Sequence, residues 1–545
     1  MKLSLLAVSS LSMTSASLTD SLRRRLSFEK IAGYAPGTQV TDHCAIDLDQ
    51  AAIETELAKQ TDSSFATAGN IYNQGGSSKS YAQITLSTPL SSAIQNDAVI
   101  VGTNADGSST VGKAYEDYPQ GTTSLKVQYQ TSDMQANHVT CMVGGLPTDL
   151  QTTVGCLAGS GSINIAGQDY DYTYDPTTDN NNGRTIAGFS TDAGQKMRLN
   201  CDGCPYDDHR FFYNYYGVDD YGHQWVTAAL NGEKTTFDKG NADFSVYSLN
   251  GRTEAVKKGT VFLNIFQYVI REFEDALDDC ERGCDLDACN DDAVHAWDEG
   301  VCFYTGSIEA QDGVTSDGKL LHQLADKRCA DFKTCSKDGG ELEGQAKLNH
   351  DLFKLYAKGK YELQTKNCGE ARSTVNEITK LLYIPFIQGT LRYAYKMDKL
   401  GDDSEKSAAE AAVFAAAVLP RIAAADEAAA DTIYENVKVG VSTTDFADVK
   451  EAFEFVYKDL GIKCSDIGGL WNSALGEYYE GAGPCKNGLM SEMTDDKLIV
   501  IIVGSTLGGL FFISVLFLCF SRARKSSGAG GKQPDLEATT DAEVS

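Results

Sequence analysis

The sequence predicts a mainly helical α+β protein, a disulfide-stapled helical bundle ectodomain carrying a β-rich insertion, with one C-terminal transmembrane helix. Three observations carry this expectation. Apolar residues recur at helical spacing from about Cys201 onward, alternate at strand spacing from about Tyr81 to Tyr174, and run without a charge from Leu498 to Phe520. The length of 545 residues allows roughly three to four compact units. Hydrophobic residues make up 42%, with 26 Tyr and 22 Phe, which is ample material for a packed core.

Taken in chain order, "MKLSLLAVSSLSMTSASLTD" joins one early lysine to a short apolar run and to small residues at Ser15, Ala16 and Ser17, so residues 1–16 read as a signal peptide. Residues 17–80 open on a basic patch, Arg23 to Arg25, which is either a processing site or a solvated face. They continue into "DHCAIDLDQAAIETELAKQ", a helix with Asp42 as cap. Residues 81–200 form the β-rich insertion, with strands in "YAQITL", "SLKVQYQT" and "SINIAGQDYDYTY" between Gly, Asn, Asp and Ser clusters. Inside it "GSSTVGKA", Gly107 to Ala114, stops one residue short of a phosphate loop. Ala114 lacks the hydroxyl that would hold magnesium, so no nucleotide site is expected.

Residues 201–460 read as the bundle. Gly251 to Cys280 is a proline-free run with an apolar stripe through Val256, Phe262, Ile265, Phe266, Val269 and Phe273. "TVNEITKLLYIPFIQGTLRYAYKM" should be kinked or interrupted at Pro385, where an internal hydrogen bond is lost. "SEKSAAEAAVFAAAVLPRIAAADEAAADTIYENV" reads as an alanine-rich pair ended by Pro420, whose small residues allow close helix approach. "DDYGHQW" at Asp219 and "DDAVHAW" at Asp291 share one spacing and suggest an internal repeat.

A connector with Cys464 and Cys485 covers residues 461–496, and the span covers 497–520. Its uncharged stretch is long enough to cross a hydrocarbon core of ~30 Å at about 1.5 Å per residue. Arg522, Arg524 and Lys525 follow it and place the tail, residues 521–545, in the cytosol. The expected topology is single-pass type I, N-terminus outside or lumenal, in the plasma membrane or an endomembrane vesicle. Of the 15 Cys, Cys519 falls in the span and the other 14 can pair in an oxidising compartment. Cys201-x-x-Cys204 is expected as a disulfide, because no second C-x-x-C completes a zinc set. Cys280, Cys284 and Cys289 are expected to staple one turn.

The formal charge of −29 sits almost wholly on the ectodomain, where it repels nucleic acid and concentrates cations. On a helix Asp291, His295 and Glu299 share a face, with Asp298 alongside, and carboxylates with imidazole ligate iron or another transition metal. The earlier copy keeps Asp219 and His223 but has Thr227 in the third place. Tyr206 to Trp225 adds His209 and Tyr213 within a cluster of two His, four Asp and five Tyr, hard donors for ferric iron, with Arg210 as anion holder. The alternative is structural: Trp225 and Trp297 as core anchors, the histidines bonded within the bundle and the tyrosines as a packing face. "REFED", Arg271 to Asp275, is near an R-E-x-x-E ferric-transport pattern but reads better as an i,i+4 ion pair. Neither H-E-x-x-H nor G-x-S-x-G occurs in the ectodomain, so nothing points to a hydrolase.

At "HAWDEGVCFYTGS", "LADKRCADFKTC", "IPFIQGTLRYAYK" and "AAVFAAAVLP" the chain resembles the low-iron-inducible periplasmic proteins of algae, to which the phytotransferrins are also compared. The resemblance runs from about Cys201 to Val439 and extends to the helical part near Asp42, but not to the β-rich insertion. "HAWDE" is similar, more weakly, to imelysin-like proteins, whose H-x-x-E motif would need Glu at Asp298. The resemblance implies a cell-surface protein that captures iron or another metal cation, with ferric iron and carbonate as the candidate pair, and passes it inward through an endocytic or reductase partner. The competing expectation is a structural or adhesion protein of the cell covering or a mineralising vesicle membrane. For that reading "RRL", Arg24 to Leu26, resembles the R-x-L processing signal of diatom biosilica-associated proteins.

Overall fold

Three N-terminal helices and the helices of the second half share one hydrophobic core, and a β-barrel is inserted between them. The computed structural model describes residues 30–485 except 39, 76, 79–81, 96–97, 104–108, 115–116, 130–157, 175–183, 202, 285–292, 310–316 and 337–345. The expected signal peptide, the Leu498–Phe520 span, the cytosolic tail and Asp291 lie outside the described residues. Among the described residues no single helix is long and apolar enough to cross a membrane.

The chain begins with α1 (Thr41–Cys44), α2 (Ile46–Leu57) and α3 (Asp62–Gln74). Thr61 starts α3 by accepting from the Ser64 backbone while the Ser64 hydroxyl accepts from Thr61 N, a reciprocal capping box. The barrel follows: β1 (Ala82–Leu86), β2 (Val99–Thr103), β3 (Ser109–Ala114), β4 (Ser124–Tyr129), β5 (Ser160–Ile165) and β6 (Gln168–Thr173). The order β1-β4-β3-β2-β5-β6 closes through β1–β6 pairing, antiparallel throughout. Alternation along β5 and β6 turns Ile163, Ile165, Tyr170 and Tyr172 inward onto Ile84, Ile100 and Leu125, a core separate from that of the helices. The expected strands are therefore present. Lys113 of the phosphate-loop-like stretch stands in β3, paired with Val99 and Gln128.

Helical structure resumes with α4 (Ile186–Thr191) and a π-helical turn at Gly194–Leu199. Then come α5 (Asp207–Tyr216), α6 (Tyr221–Asn231), α7 (Leu249–Gly259), α8 (Phe266–Arg282), α9 (Ala293–Thr305), α10 (Leu321–Phe332), α11 (Lys347–Gln364), α12 (Cys368–Leu382) and α13 (Ile384–Lys399). The body ends with α14 (Glu405–Ala416), α15 (Leu419–Ala425), α16 (Glu427–Val437), α17 (Phe446–Val456), α18 (Cys464–Ile467) and the hairpin β7 (Trp471–Asn472) and β8 (Glu477–Tyr478). α7 and α8 form the expected long run, joined by a π-helical turn at Thr260–Ile265, and every member of the apolar stripe from Val256 to Phe273 is buried.

Pro385 separates α12 from α13 as expected, sitting in the first turn of α13. Pro420 departs from expectation: it opens α15 instead of ending the alanine-rich pair. A first-turn proline has no intrahelical bond to lose, and its fixed φ suits a helix start. Close approach in this region is real. At Gly389 of α13 an added Cβ would lie 2.6 Å from the Phe414 ring of α14.

Disulfides tie distant elements. Cys44 of α1 pairs with Cys302 of α9, Cα atoms 4.8 Å apart, and Cys280 of α8 pairs with Cys368 of α12. Cys280 thus reaches across the bundle and does not close the local turn expected of it, because α12 packs beside the end of α8. Cys201–Cys204 forms the expected disulfide, and Cys329–Cys335 and Cys464–Cys485 pair locally.

Candidate metal centre

α9 owes its orientation to Trp297, which is fully buried and donates from Nε1 to the Tyr356 carbonyl at 3.0 Å. With that face fixed inward, His295 and Glu299 fall one turn apart on another face, His295 Nε2 lying 3.2 Å from Glu299 Oε1. The third member comes from α1. The Cys44–Cys302 bridge holds α1 against α9, and His43, beside Cys44, places Nδ1 3.1 Å from the same Glu299 oxygen. One donor atom from each of His43, His295 and Glu299 lies within 4.8 Å of the others.

Arg184 completes the cluster from the stem of the barrel. Its Nη2 donates to both Glu299 oxygens at 2.6 Å, and Nη1 contacts His43 Nδ1. The stem is fastened here: Ser77 N donates to Asp49, the Ser78 hydroxyl donates to the His43 carbonyl, and Arg184 N donates to the Ser78 carbonyl. His43 and Glu299 are almost inaccessible, whereas the His295 side chain is 18% exposed and that of Arg184 22%. Solvent therefore reaches the cluster past His295 and Arg184.

Burial, followed by the Arg184 charge, lowers His43 well below the ordinary imidazole value, which leaves it neutral and able to donate a lone pair. Burial alone would raise Glu299, yet Arg184, His43 and His295 together hold it well below the carboxylate range. Burial would likewise lower Arg184, but Glu299 reverses the sign and keeps the guanidinium charged. Glu272 of α8, buried beside these groups and bonded to Arg271 at 2.6 Å, is pushed up to about 8 by burial, with the nearby Glu299 adding to the rise.

The other expected residues stand elsewhere. Asp298 points away from His295 and Glu299, accepting from the Tyr34 hydroxyl at 2.5 Å, from Gly37 N and Thr38 N, and from the Thr38 hydroxyl. Asp219 meets His209 at 3.1 Å and is gripped by both ends of the Arg198 guanidinium, which also lies over the Tyr213 ring. Arg210 makes an exposed pair with Asp207. His223 is separate again, bonded through Nδ1 to the Tyr72 hydroxyl at 3.1 Å. Trp225 and Trp297 are both core residues, and Arg271 pairs with Asp275 at 2.9 Å as an i,i+4 bridge. Sequence reasoning missed His43 and Arg184. The available signal was a histidine next to a cysteine in "TDHCAID", in a chain with only seven histidines.

No curated protein and no solved structure matches the chain. Residues 211–479 match the family described as low iron-inducible periplasmic protein, a stretch that contains α9 with His295 and Glu299, while His43 and Arg184 lie ahead of it. Over residues 211–479, then, this chain is similar to the low iron-inducible periplasmic protein family.

Proposed function

We propose that this protein captures iron at the cell surface through His43, His295 and Glu299. The observation that carries the reading is the convergence of two imidazoles and a carboxylate, from α1 and α9, on one partly open point. Two histidines and one carboxylate form a donor set suited to iron, with coordination positions left for other ligands. An incoming ion needs the Glu299 oxygens that Arg184 now occupies, and the displaced guanidinium could then hold an anion such as carbonate. Similarity over residues 211–479 to a family named for low-iron induction supports iron as the cargo.

The uncharged stretch Leu498–Phe520 supports a membrane anchor, with the metal cluster outside or in a lumen. One span forms no channel. Iron captured here would move inward by surface reduction or by internalisation with a partner.

The test is a titration of the metal-stripped full-length chain with ferric and ferrous iron, each with and without bicarbonate, repeated with His43→Ala and His295→Ala. One tightly held iron per chain, lost in both variants, is the expected result. Unchanged binding in both variants would remove this cluster as the site.

A further inference from the structure

Among the bridges between described residues, Cys201–Cys204 stands apart. Cys44–Cys302 and Cys280–Cys368 join helices across 258 and 88 residues, and Cys464–Cys485 spans 21. Cys329–Cys335 spans only 6, but both its residues are buried. Cys201–Cys204 spans 3, both its cysteines are half-buried, and Gly203 and Pro205 beside them are exposed. A bridge this short restrains the unfolded chain least of all, so stability gives little reason for it.

The turn that carries it is fastened by other means. Gly203 N donates to Asp278 Oδ2 of α8 at 3.0 Å, and the Tyr206 hydroxyl donates to the same oxygen at 2.7 Å. Tyr206 N donates to the Met197 carbonyl at 3.0 Å. Asp278 and Tyr206 are both buried, so the turn is tied to the bundle whether or not the two sulfurs are joined. Gly203 permits this close approach, since a Cβ there would lie 2.6 Å from Asp278 Oδ1. The sulfurs are also not equivalent. Cys201 N donates to Cys204 Sγ at 3.0 Å. A donor at that sulfur stabilises negative charge on it, which makes Cys204 the better leaving group when the bridge opens.

We propose that Cys201–Cys204 is a thiol–disulfide exchange site that takes a dithiol as its reducing substrate, a function separate from metal capture. A thiolate of the substrate attacks Cys201 Sγ, the bond between the two cysteines breaks, and its electron pair leaves on Cys204 Sγ, which takes up a proton. The substrate's second thiol loses its proton and attacks the substrate sulfur now joined to Cys201, expelling Cys201 as a thiolate that is protonated in turn. Two electrons and two protons have then passed from the dithiol to the chain, and the substrate leaves as a disulfide. An external disulfide reverses the sequence: it is attacked by the Cys201 thiolate, and Cys204 resolves the mixed disulfide. The C-x-x-C spacing lets the second sulfur reach the first within one turn, and the bonds from Asp278 hold that turn in both states.

The test uses the full-length chain, with dithiothreitol as the dithiol and glutathione disulfide as the oxidant. A catalytic amount of protein should speed their exchange at least about tenfold at about pH 6, where the uncatalysed reaction is slow for want of thiolate. The double variant Cys201→Ser, Cys204→Ser should fold with an unchanged melting temperature and give no acceleration. Cys204→Ser, treated with glutathione disulfide, should hold one glutathione on Cys201, found by peptide mass spectrometry, because the resolving sulfur is gone. A wild-type chain that gives no acceleration overturns the assignment, and so does acceleration that survives in the double variant. A double variant that does not fold overturns it too, since the turn would then depend on its bridge. Absence of glutathione from Cys201 in Cys204→Ser overturns the order of attack and with it the site as described.

Discussion

His43 and His295 meet edge to face, their ring centroids 5.5 Å apart and their planes at 83°, although one lies in a four-residue N-terminal helix and the other in α9. Local sequence does not bring them together. The bridge between their neighbours Cys44 and Cys302 does, closing a separation of 258 residues.

Replacing that bridge with Cys44→Ser and Cys302→Ser should therefore affect stability and binding together. A loop this long restricts the unfolded chain strongly, and its loss should cost about 2–5 kcal/mol. Iron affinity should fall with it, because α1 is no longer held on α9. Calorimetry and iron titration on the double variant check both; a chain that loses stability but keeps full affinity would show that packing alone holds His43.

How much of this was legible depended on the range of the interaction. His295 and Glu299 were readable because i,i+4 spacing on a helix is a local fact. Strands β1, β4, β5 and β6 were readable because alternation is local too. His43 and Arg184 were not: each reaches Glu299 only through a tertiary contact, one made by a disulfide and the other by the barrel stem. Asp298 misled for the same reason, since its neighbours along the chain are ligand candidates while its partners in space are Tyr34, Gly37 and Thr38. Pro420 was read as a stop because sequence shows that a helix cannot continue through it, but not that one begins there.

Asp298→Ala separates these roles. Removing an acceptor of four hydrogen bonds that fastens the 34–38 segment should cost about 2–3 kcal/mol. Iron stoichiometry should stay at the wild-type value, because Asp298 points away from the cluster. Loss of iron from a folded Asp298→Ala chain would reinstate it as a ligand.

Gly359→Ala tests the anchor that orients α9. A Cβ at this position would sit 2.1 Å from two atoms of the fully buried Trp297 ring. Overpacking of this kind costs about 1–3 kcal/mol. Denaturant unfolding should register that loss, and the intrinsic tryptophan emission of the native state should shift. An unchanged midpoint would mean that α11 yields easily.

Asp47 gives the pH dependence a sign. Burial raises it from 3.8 to about 7 against the opposing hydrogen bonds from Ile308 and Ser307, so the folded state favours the protonated acid. Its stabilising contribution is complete below 3.8 and is lost as pH rises through about 7, with a slope of at most ~1.4 kcal/mol per pH unit. The melting temperature of metal-free protein, followed from about pH 5 to about pH 8, should fall more steeply in wild type than in Asp47→Asn. Parallel curves would assign the slope to other groups.

Arg184 makes the last prediction, because it holds the oxygens that a captured ion needs. Its two hydrogen bonds to Glu299 stabilise the metal-free state and must be given up or shared when iron arrives. Arg184→Gln should destabilise the metal-free protein by about 3 kcal/mol, since buried Glu299 then keeps only its two imidazole partners. The same change removes a competing cation. Ferrous iron should accordingly bind about tenfold more tightly in bicarbonate-free buffer, a difference of about 1.4 kcal/mol. If Arg184 also holds a carbonate beside the bound ion, any gain in affinity from bicarbonate in wild type should vanish in the variant. Anaerobic calorimetric titration of both proteins, with and without bicarbonate, reads all of these. Weaker ferrous binding in the variant under both conditions would mean that Arg184 supports the ligands and does not compete with the metal.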